Sequence, residues 1–74
     1  MGKLKVNLDT YSRIQKFVTI INQNGIQASL VTGDGLYRVN ARSLLGALAT
    51  MDWSSDVWVE SADDIYSQIE EFVE

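Results

Sequence analysis

The sequence predicts a single α+β domain, in which three amphipathic helices cover one face of a four-stranded antiparallel sheet. Two patterns carry this prediction. Apolar residues alternate with period two at 3–8 and 26–32, with two more short strand-like runs at 36–39 and 57–59, and they recur at three- and four-residue steps in three longer segments. No linker, repeat or low-complexity stretch interrupts the 74 residues, so the range 1–74 is one domain with one core.

The first strand and helix occupy the N-terminal third. Residues 3–8 alternate polar and apolar, and Asp9 or Thr10 can cap a helix that runs to about Asn24. Gly25 ends this helix in the left-handed conformation. The inward face of the strand is predicted to hold Leu4, Val6 and Leu8, and that of the helix Tyr11, Ile14, Phe17, Val18 and Ile21.

A hairpin and a second helix follow. Residues 26–32 alternate again, and the glycine-rich turn at 33–35 is predicted to join them to a second strand at 36–39. Asn40 is expected to cap a helix from Ala41 to about Thr50, in which Gly46 suggests a close packing contact. Its predicted apolar stripe consists of Leu44, Leu45, Leu48 and Met51.

The last elements are a short strand and a third helix. Residues 57–59 are β-prone, and Ser61 with Asp64 resembles a capping box. The residues expected to face inward are Ile65, Ile69, Phe72 and Val73. Of the two tryptophans, Trp58 is expected in the core or on the sheet face, and Trp53 is the better candidate for a partner contact.

Composition excludes several function classes. The chain has no cysteine and no histidine, which removes disulfides, thiolate nucleophiles, imidazole catalysis and zinc sites built from sulfur or imidazole. No cofactor or metal site is expected. No apolar run is long enough to span a bilayer, so we expect no membrane association and a cytoplasmic location.

The charges are distributed unevenly along the chain. The net charge is −4, but residues 1–42 hold all six basic residues and two acids, while residues 43–74 hold eight acids and no base. If folding gathers the basic residues, the molecule has a positive and a negative face that can orient it on a partner. The alternative is that both sets are solvated surface without a recognition role.

One segment resembles a known family. Residues 39–48 read Val-Asn-Ala-Arg-Ser-Leu-Leu-Gly-Ala-Leu, which is similar to the "VN-x-KS-I/L-M/L-G-x-M/L" segment of the histidine-containing phosphocarrier proteins (HPr) of the bacterial sugar phosphotransferase system. Gly35 and the elements from Val57 to Val73 support the resemblance, which covers nearly the whole chain. It implies the HPr-like open-faced β-sandwich, with the order strand-helix-strand-strand-helix-strand-helix.

The start of the first helix departs from the family pattern. HPr proteins that carry phosphate have a histidine there, followed by an arginine and a proline. In this chain the histidine falls opposite Arg13 or Ile14, and the proline has no counterpart. Neither side chain can accept phosphate from a phosphohistidine donor, so we expect no histidine phosphoryl transfer and no enzyme activity.

The regulatory site of the family has a counterpart. Ser43 aligns with the serine that Gram-positive HPr proteins and their histidine-lacking paralogues present to an ATP-dependent HPr kinase/phosphorylase. The residues alone place Ser43 in the first turn of the second helix, where an added phosphate is favoured. The alternative is that Ser43 serves capping alone, since serine is common in a first turn without modification.

The resemblance also implies a docking surface. In the family the starts of the first two helices lie side by side, so Arg13, Lys16 and Arg42 are expected close together. Leu44, Leu45 and Leu48 are expected to supply its apolar part. The alternative is that these leucines belong to the core.

The sequence thus predicts a non-catalytic HPr-like regulatory protein, monomeric or homodimeric, that binds HPr kinase/phosphorylase or a regulator. The alternative is an assembly module that dimerises through its sheet face or a swapped strand. A nucleic-acid module with Tyr37 and Trp58 on the sheet is disfavoured, because the acidic balance opposes contact with phosphates.

Overall fold

A computed structural model describes residues 2–53 and 55–74, and in this part of the chain it has the α+β architecture predicted from the sequence. The strands are β1 (Gly2–Val6), β2 (Ser29–Thr32), β3 (Arg38–Asn40) and β4 (Val57–Ser61). The helices are α1 (Tyr11–Gln23), α2 (Leu44–Leu48) and α3 (Tyr66–Ile69), and 3₁₀ turns at Ala49–Asp52 and Glu70–Phe72 extend the last two.

The sheet has the order β1-β4-β2-β3, and every neighbouring pair is antiparallel. Val6 and Thr32 both pair with Val57, which defines one end of the sheet, the hairpin end. Ser29 pairs with Asn40 at the opposite end, the α2 end. Because β1 and β3 run in opposite directions, α1 follows β1 at the hairpin end, whereas α2 follows β3 at the opposite end of the sheet.

The core lies between the helices and one face of the sheet. Leu30 and Val59 project from the two central strands into a cluster with residues of all three helices. Phe17 of α1 meets Phe72 edge-on, with ring centroids 5.3 Å apart and an interplanar angle of 87°. Each large apolar side chain buried in this way stabilises the fold by about 1.5–3 kcal/mol.

The structure of helix α1 confirms most of what its sequence pattern predicts. Thr10, rather than Asp9, is the N-cap, because its hydroxyl accepts a hydrogen bond from the backbone N–H of Arg13 at 3.2 Å. Gly25 adopts φ 62° after the helix, as predicted. Tyr11 is 50% exposed, so its assignment to the buried stripe is wrong; it is the first helical residue, at the hairpin end.

The turn between β2 and β3 is longer than predicted. Leu36 and Tyr37 lie in the turn, and β3 starts only at Arg38. The Asp34 carboxylate accepts hydrogen bonds from the Thr32 hydroxyl at 2.6 Å and from the Leu36 N–H at 3.0 Å. These bonds widen the turn, and Gly35 adopts φ 78° within it.

Helix α2 begins later than predicted. Ala41 donates its N–H to the Ala28 carbonyl at 3.0 Å, so the chain stays beside the sheet past Asn40. The Asn40 side chain accepts from the Arg42 N–H at 2.9 Å and forms a turn instead of capping the helix. Ser43 is the N-cap, and it accepts the Gly46 N–H at 3.1 Å.

The predicted stripe of α2 is confirmed only in part, since Leu44 and Leu48 pack partly buried against the core. Ala47 is fully buried, whereas Leu45 is 81% exposed and Met51 is 49% exposed. A Cβ added at Gly46 would meet its nearest neighbours at 3.5 Å, an ordinary contact. No close packing therefore requires glycine at this position.

Helix α3 lacks the predicted capping box. Ser61 is the last residue of β4, and its hydroxyl donates to the Gln27 carbonyl at 2.9 Å and accepts the Asp63 N–H at 3.2 Å. Asp64 instead accepts the Tyr66 N–H at 3.3 Å. The predicted inward residues are confirmed: Ile65, Ile69 and Phe72 are buried, and Val73 packs partly buried against the core.

Candidate functional site

The expected docking surface is divided between the two ends of the molecule. Arg42 donates from Nε to the Asn22 side chain at 3.3 Å, and the Asn22 amide donates to the Arg42 carbonyl at 2.9 Å. Asn22 lies nine residues after Arg13 in α1, which is about 13 Å along the helix axis. The expected proximity of Arg13 and Lys16 to Arg42 is therefore wrong, because α1 and α2 start at opposite ends of the sheet.

At the start of α1, Arg13 holds three segments of the chain together. Its guanidinium donates to the Asn7 carbonyl at 3.0 Å and to the Glu71 carbonyl at 3.3 Å. It also lies 5.2 Å from the ring centroid of Phe72 and 3.7 Å from the Asp9 carboxylate. Two of the three guanidinium nitrogens of Arg13 thus donate to backbone carbonyls of the chain, which indicates a structural role.

Lys16 is also engaged. Its ammonium lies 2.9 Å from the Glu71 carboxylate, and both side chains remain about half exposed. An exposed pair of this kind contributes only about 0–1 kcal/mol to stability. It nevertheless reduces the positive field that Lys16 presents to a partner.

Two further basic residues, Lys5 and Arg38, are also paired with carboxylates. Lys5 contacts Asp56 at 3.4 Å and Glu74 at 3.5 Å, and its hydrogen bond to Asp56 raises the pKa of its ammonium above 10.5. Arg38 contacts Glu60 at 2.7 Å. Antiparallel pairing interleaves the basic first half with the acidic second half, so the expected positive face does not form among the described residues.

At the start of α2, the remaining predicted residues are close together along the chain. Ser43 is half-buried and its oxygen accepts the cap hydrogen bond from Gly46. Leu45 projects into solvent with 81% of its surface exposed. Leu44 and Leu48 are partly buried against the core, so the core assignment holds in part for these two and fails for Leu45.

The sheet face away from the helices has an apolar centre that is already covered. Val31 is only 1% exposed, although it is absent from the main core cluster. It pairs with Trp58 on one side and Arg38 on the other, and these long side chains flank it. The Lys3 ammonium lies 5.8 Å from the Trp58 ring centroid and donates to the Gly33 carbonyl at 3.3 Å.

A groove at the hairpin end is a feature that the sequence did not reveal. It has a volume of about 320 Å³, and its lining includes Met51, Trp53, Asp56 and Glu74. Tyr37 lies beside it, with its ring centroid 6.2 Å from that of Trp53. Trp53 was singled out from its position between helix and strand, but the acidic residues come from distant parts of the sequence and only folding brings them together.

Among residues 2–53 and 55–74, no group of three or more acidic side chains is arranged to hold a metal ion, and no helix is long and apolar enough to cross a membrane. Comparisons of the chain with protein-family models, with curated proteins and with solved structures find no match. The function is therefore argued from the sequence pattern and the geometry alone.

Proposed function

We propose that this chain is a non-catalytic, HPr-like protein-binding module that acts in the bacterial cytoplasm and contacts its partner through the start of α2. The observation that carries the proposal is Leu45. It lies inside the segment that resembles HPr, and 81% of its surface faces solvent. An apolar groove of a partner can bury this exposed helical side chain.

The side chains around Leu45 suit a protein contact. Arg42 is three residues earlier, and its guanidinium has no carboxylate partner among the described residues. A partner that covers Leu45 gains up to about 1.5–3 kcal/mol from its burial. An acidic group beside that pocket would pair with Arg42 and orient the complex.

Ser43 adds a means of regulation. We propose that its Oγ takes the γ-phosphoryl group of ATP, with ADP as leaving group and the hydroxyl proton passing to a base of the kinase. The modification adds about −1.5 to −2 charges next to Arg42. The phosphate oxygens can still accept the Gly46 N–H, so the cap is retained while the charge of the contact surface is reversed.

The start of α1 is not part of this proposed surface. Arg13 occupies the region where the family histidine would lie, and it donates to two backbone carbonyls. A guanidinium that stays protonated lacks the nucleophilic lone pair with which an imidazole accepts phosphate from a phosphohistidine donor, which supports the absence of histidine-type transfer.

Phosphorylation assays test the proposal. The chain is incubated with phosphoenolpyruvate and enzyme I, and separately with ATP and HPr kinase/phosphorylase, and intact mass and peptide mapping are recorded. We expect one phosphoryl group on Ser43 from ATP alone and none on Ser43→Ala. A mass gain from phosphoenolpyruvate, or no gain in either reaction, contradicts the proposal.

A matched pair of variants tests the contact itself. Leu45→Ala should slow Ser43 phosphorylation about tenfold or more, because hot-spot residues contribute about 2 kcal/mol or more to binding. Leu36→Ala is the control, since Leu36 is 77% exposed but lies in the hairpin turn. Equal slowing by both variants would remove Leu45 from the contact surface.

The alternative proposal is an assembly module that dimerises through the open sheet face. The packing of Trp58 and Arg38 around Val31 argues against it, because little apolar surface is left for a second copy to bury. Sedimentation equilibrium decides between the two. A stable dimer that Trp58→Ala dissociates would replace the first proposal with the second.

A further inference from the structure

We propose that the groove at the hairpin end, defined by Met51, Trp53, Asp56 and Glu74, docks a basic segment of a partner protein that carries an apolar anchor. This inference is independent of the contact at the start of α2, because the groove lies at the other end of the sheet.

The groove has an apolar floor. Val6, Leu8 and Val57 line it, and the first two belong to the buried core, so the bottom of the groove continues into the core. Met51 and Trp53 form part of its wall. Its volume of about 320 Å³ is at the lower end of the range of ligand pockets and fits one or two side chains rather than a large molecule.

Exposed aromatic and thioether groups mark the same place. Met51 is 49% exposed and Tyr37 is 63% exposed, and the Tyr37 ring packs against Trp53. Methionine adapts its shape to different partners, and tyrosine and tryptophan are enriched at interface anchors. These side chains remain accessible although neighbouring residues are fully buried.

The charge around the groove selects the occupant. Asp9, Asp56 and Glu74 lie along it, and Asp52 is exposed between Met51 and Trp53 with no ion-pair partner among the described residues. Lys5 bridges Asp56 and Glu74, and Arg13, which contacts Asp9, is directed into the chain by its carbonyl contacts. The surplus is negative, so lysine or arginine beside an apolar anchor is the complementary pattern.

A second copy of the chain is the weaker occupant. Lys3 and Arg42 have no carboxylate partner among the described residues, but the other four basic residues, Lys5, Arg13, Lys16 and Arg38, are each paired with a carboxylate of their own chain. Docking them into a neighbour's groove would break those pairs without a new gain. A partner with unpaired basic residues has no such cost.

Peptide binding to the full chain tests the proposal. The probe is a capped peptide of sequence KKFLKK, and the matched controls are EEFLEE and KKGSKK. Amide NMR shifts of the chain should move around residues 50–57 and at Glu74 with KKFLKK, with at least about tenfold weaker binding for either control. Raising the salt concentration should weaken binding of the basic peptide, because exposed charges are screened.

Variants locate the contact. Met51→Ser and Trp53→Ala should each weaken KKFLKK binding several-fold, and Asp52→Lys should do so more at low salt than at high salt. Met51 is half exposed, so Met51→Ser should leave the fold intact and still test the groove if Trp53→Ala unfolds the chain. Tyr66→Ala is the control and should bind as the wild type does, since Tyr66 is 45% exposed at the start of α3 and does not line the groove.

Three results of the peptide experiments would overturn the proposal. They are equal binding of KKFLKK and EEFLEE, binding that Met51→Ser and Asp52→Lys leave unchanged, or no shift around the groove at millimolar peptide. A self-associated chain that Met51→Ser dissociates would also overturn it, and would assign the groove to a second copy.

Discussion

The starts of α1 and α2 have similar sequences and different surroundings. Each has a hydroxyl N-cap, Thr10 or Ser43, and each has an arginine within three residues of that cap. The Arg13 guanidinium donates to two backbone carbonyls of its own chain and lies over a buried ring, whereas the Arg42 guanidinium donates only to the Asn22 side chain among the described contacts. The bonds that a side chain already makes within the fold thus decide whether it is available to a partner.

The largest expected difference between these regions is in how much an apolar side chain contributes to the free energy of unfolding. Phe72, which packs against Phe17 and Arg13 beside the α1 start, is 1% exposed, so Phe72→Ala should lower the free energy of unfolding by about 3–5 kcal/mol. Leu45→Ala at the α2 start should change it by no more than about 0.5 kcal/mol. Urea denaturation measures both. A large loss in Leu45→Ala would mean that Leu45 is a packing residue rather than a contact.

Truncating the two arginines should also destabilise the chain more at the α1 start than at the α2 start, but with a smaller difference in the free energy of unfolding. Arg13→Ala removes two hydrogen bonds and a ring contact, and we expect a loss of about 1–2 kcal/mol in the free energy of unfolding. Arg42→Ala removes one exposed bond and should cost less than about 1 kcal/mol. Equal losses in parallel denaturant titrations would contradict the assigned roles.

The cap at Ser43 gives a smaller effect that also tests tolerance to charge. Ser43→Ala should destabilise the chain by about 1 kcal/mol, because the Gly46 N–H loses its acceptor. Ser43→Asp keeps an acceptor and should stay within a few tenths of a kcal/mol of the wild type. Thermal unfolding followed by circular dichroism distinguishes them. Strong destabilisation by Ser43→Asp would argue that a negative charge is not accommodated there.

The smallest expected effect concerns Asp34, which binds its own chain as Arg13 does. The hydrogen bond from the Thr32 hydroxyl, with a further one from the Leu36 N–H, holds the pKa of Asp34 below its usual value of 3.8. The unfolded chain then binds a proton more readily than the folded one, so this contribution is complete above about pH 4 and is lost as the pH falls through the folded pKa. Asp34→Asn and Thr32→Val should both reduce the acid dependence of stability. An unchanged pH profile in both would show that these bonds do not form in solution.

Sequence patterns predicted the elements of the fold better than their boundaries. Ile14, Phe17, Val18 and Ile21 have the spacing of a buried helix face, and all four are buried. The start of α2 was misplaced because Asn40 and Ser43 are both good N-caps. Which of them caps the helix depends on the bond from Ala41 to Ala28, a residue distant in sequence.

The candidate site was harder to predict for a related reason. Net charge and its division between the two halves are properties of the sequence, but the partner of each charge is set by strand order. The pairing of β1 with β4 places Lys5 near Asp56, and the packing of α1 places Lys16 near Glu71. The strands that precede α1 and α2 run in opposite directions. Following these directions in the predicted sheet would have placed Arg13 and Arg42 at opposite ends.

The most direct test of the central claim is an amide NMR titration of the isotope-labelled chain with HPr kinase/phosphorylase. We expect signals of residues 42–48 to shift or broaden first, while those of residues 10–16 at the start of α1 stay unchanged. Perturbation centred on residues 10–16, or no perturbation at all, would contradict the claim that the start of α2 is the contact surface.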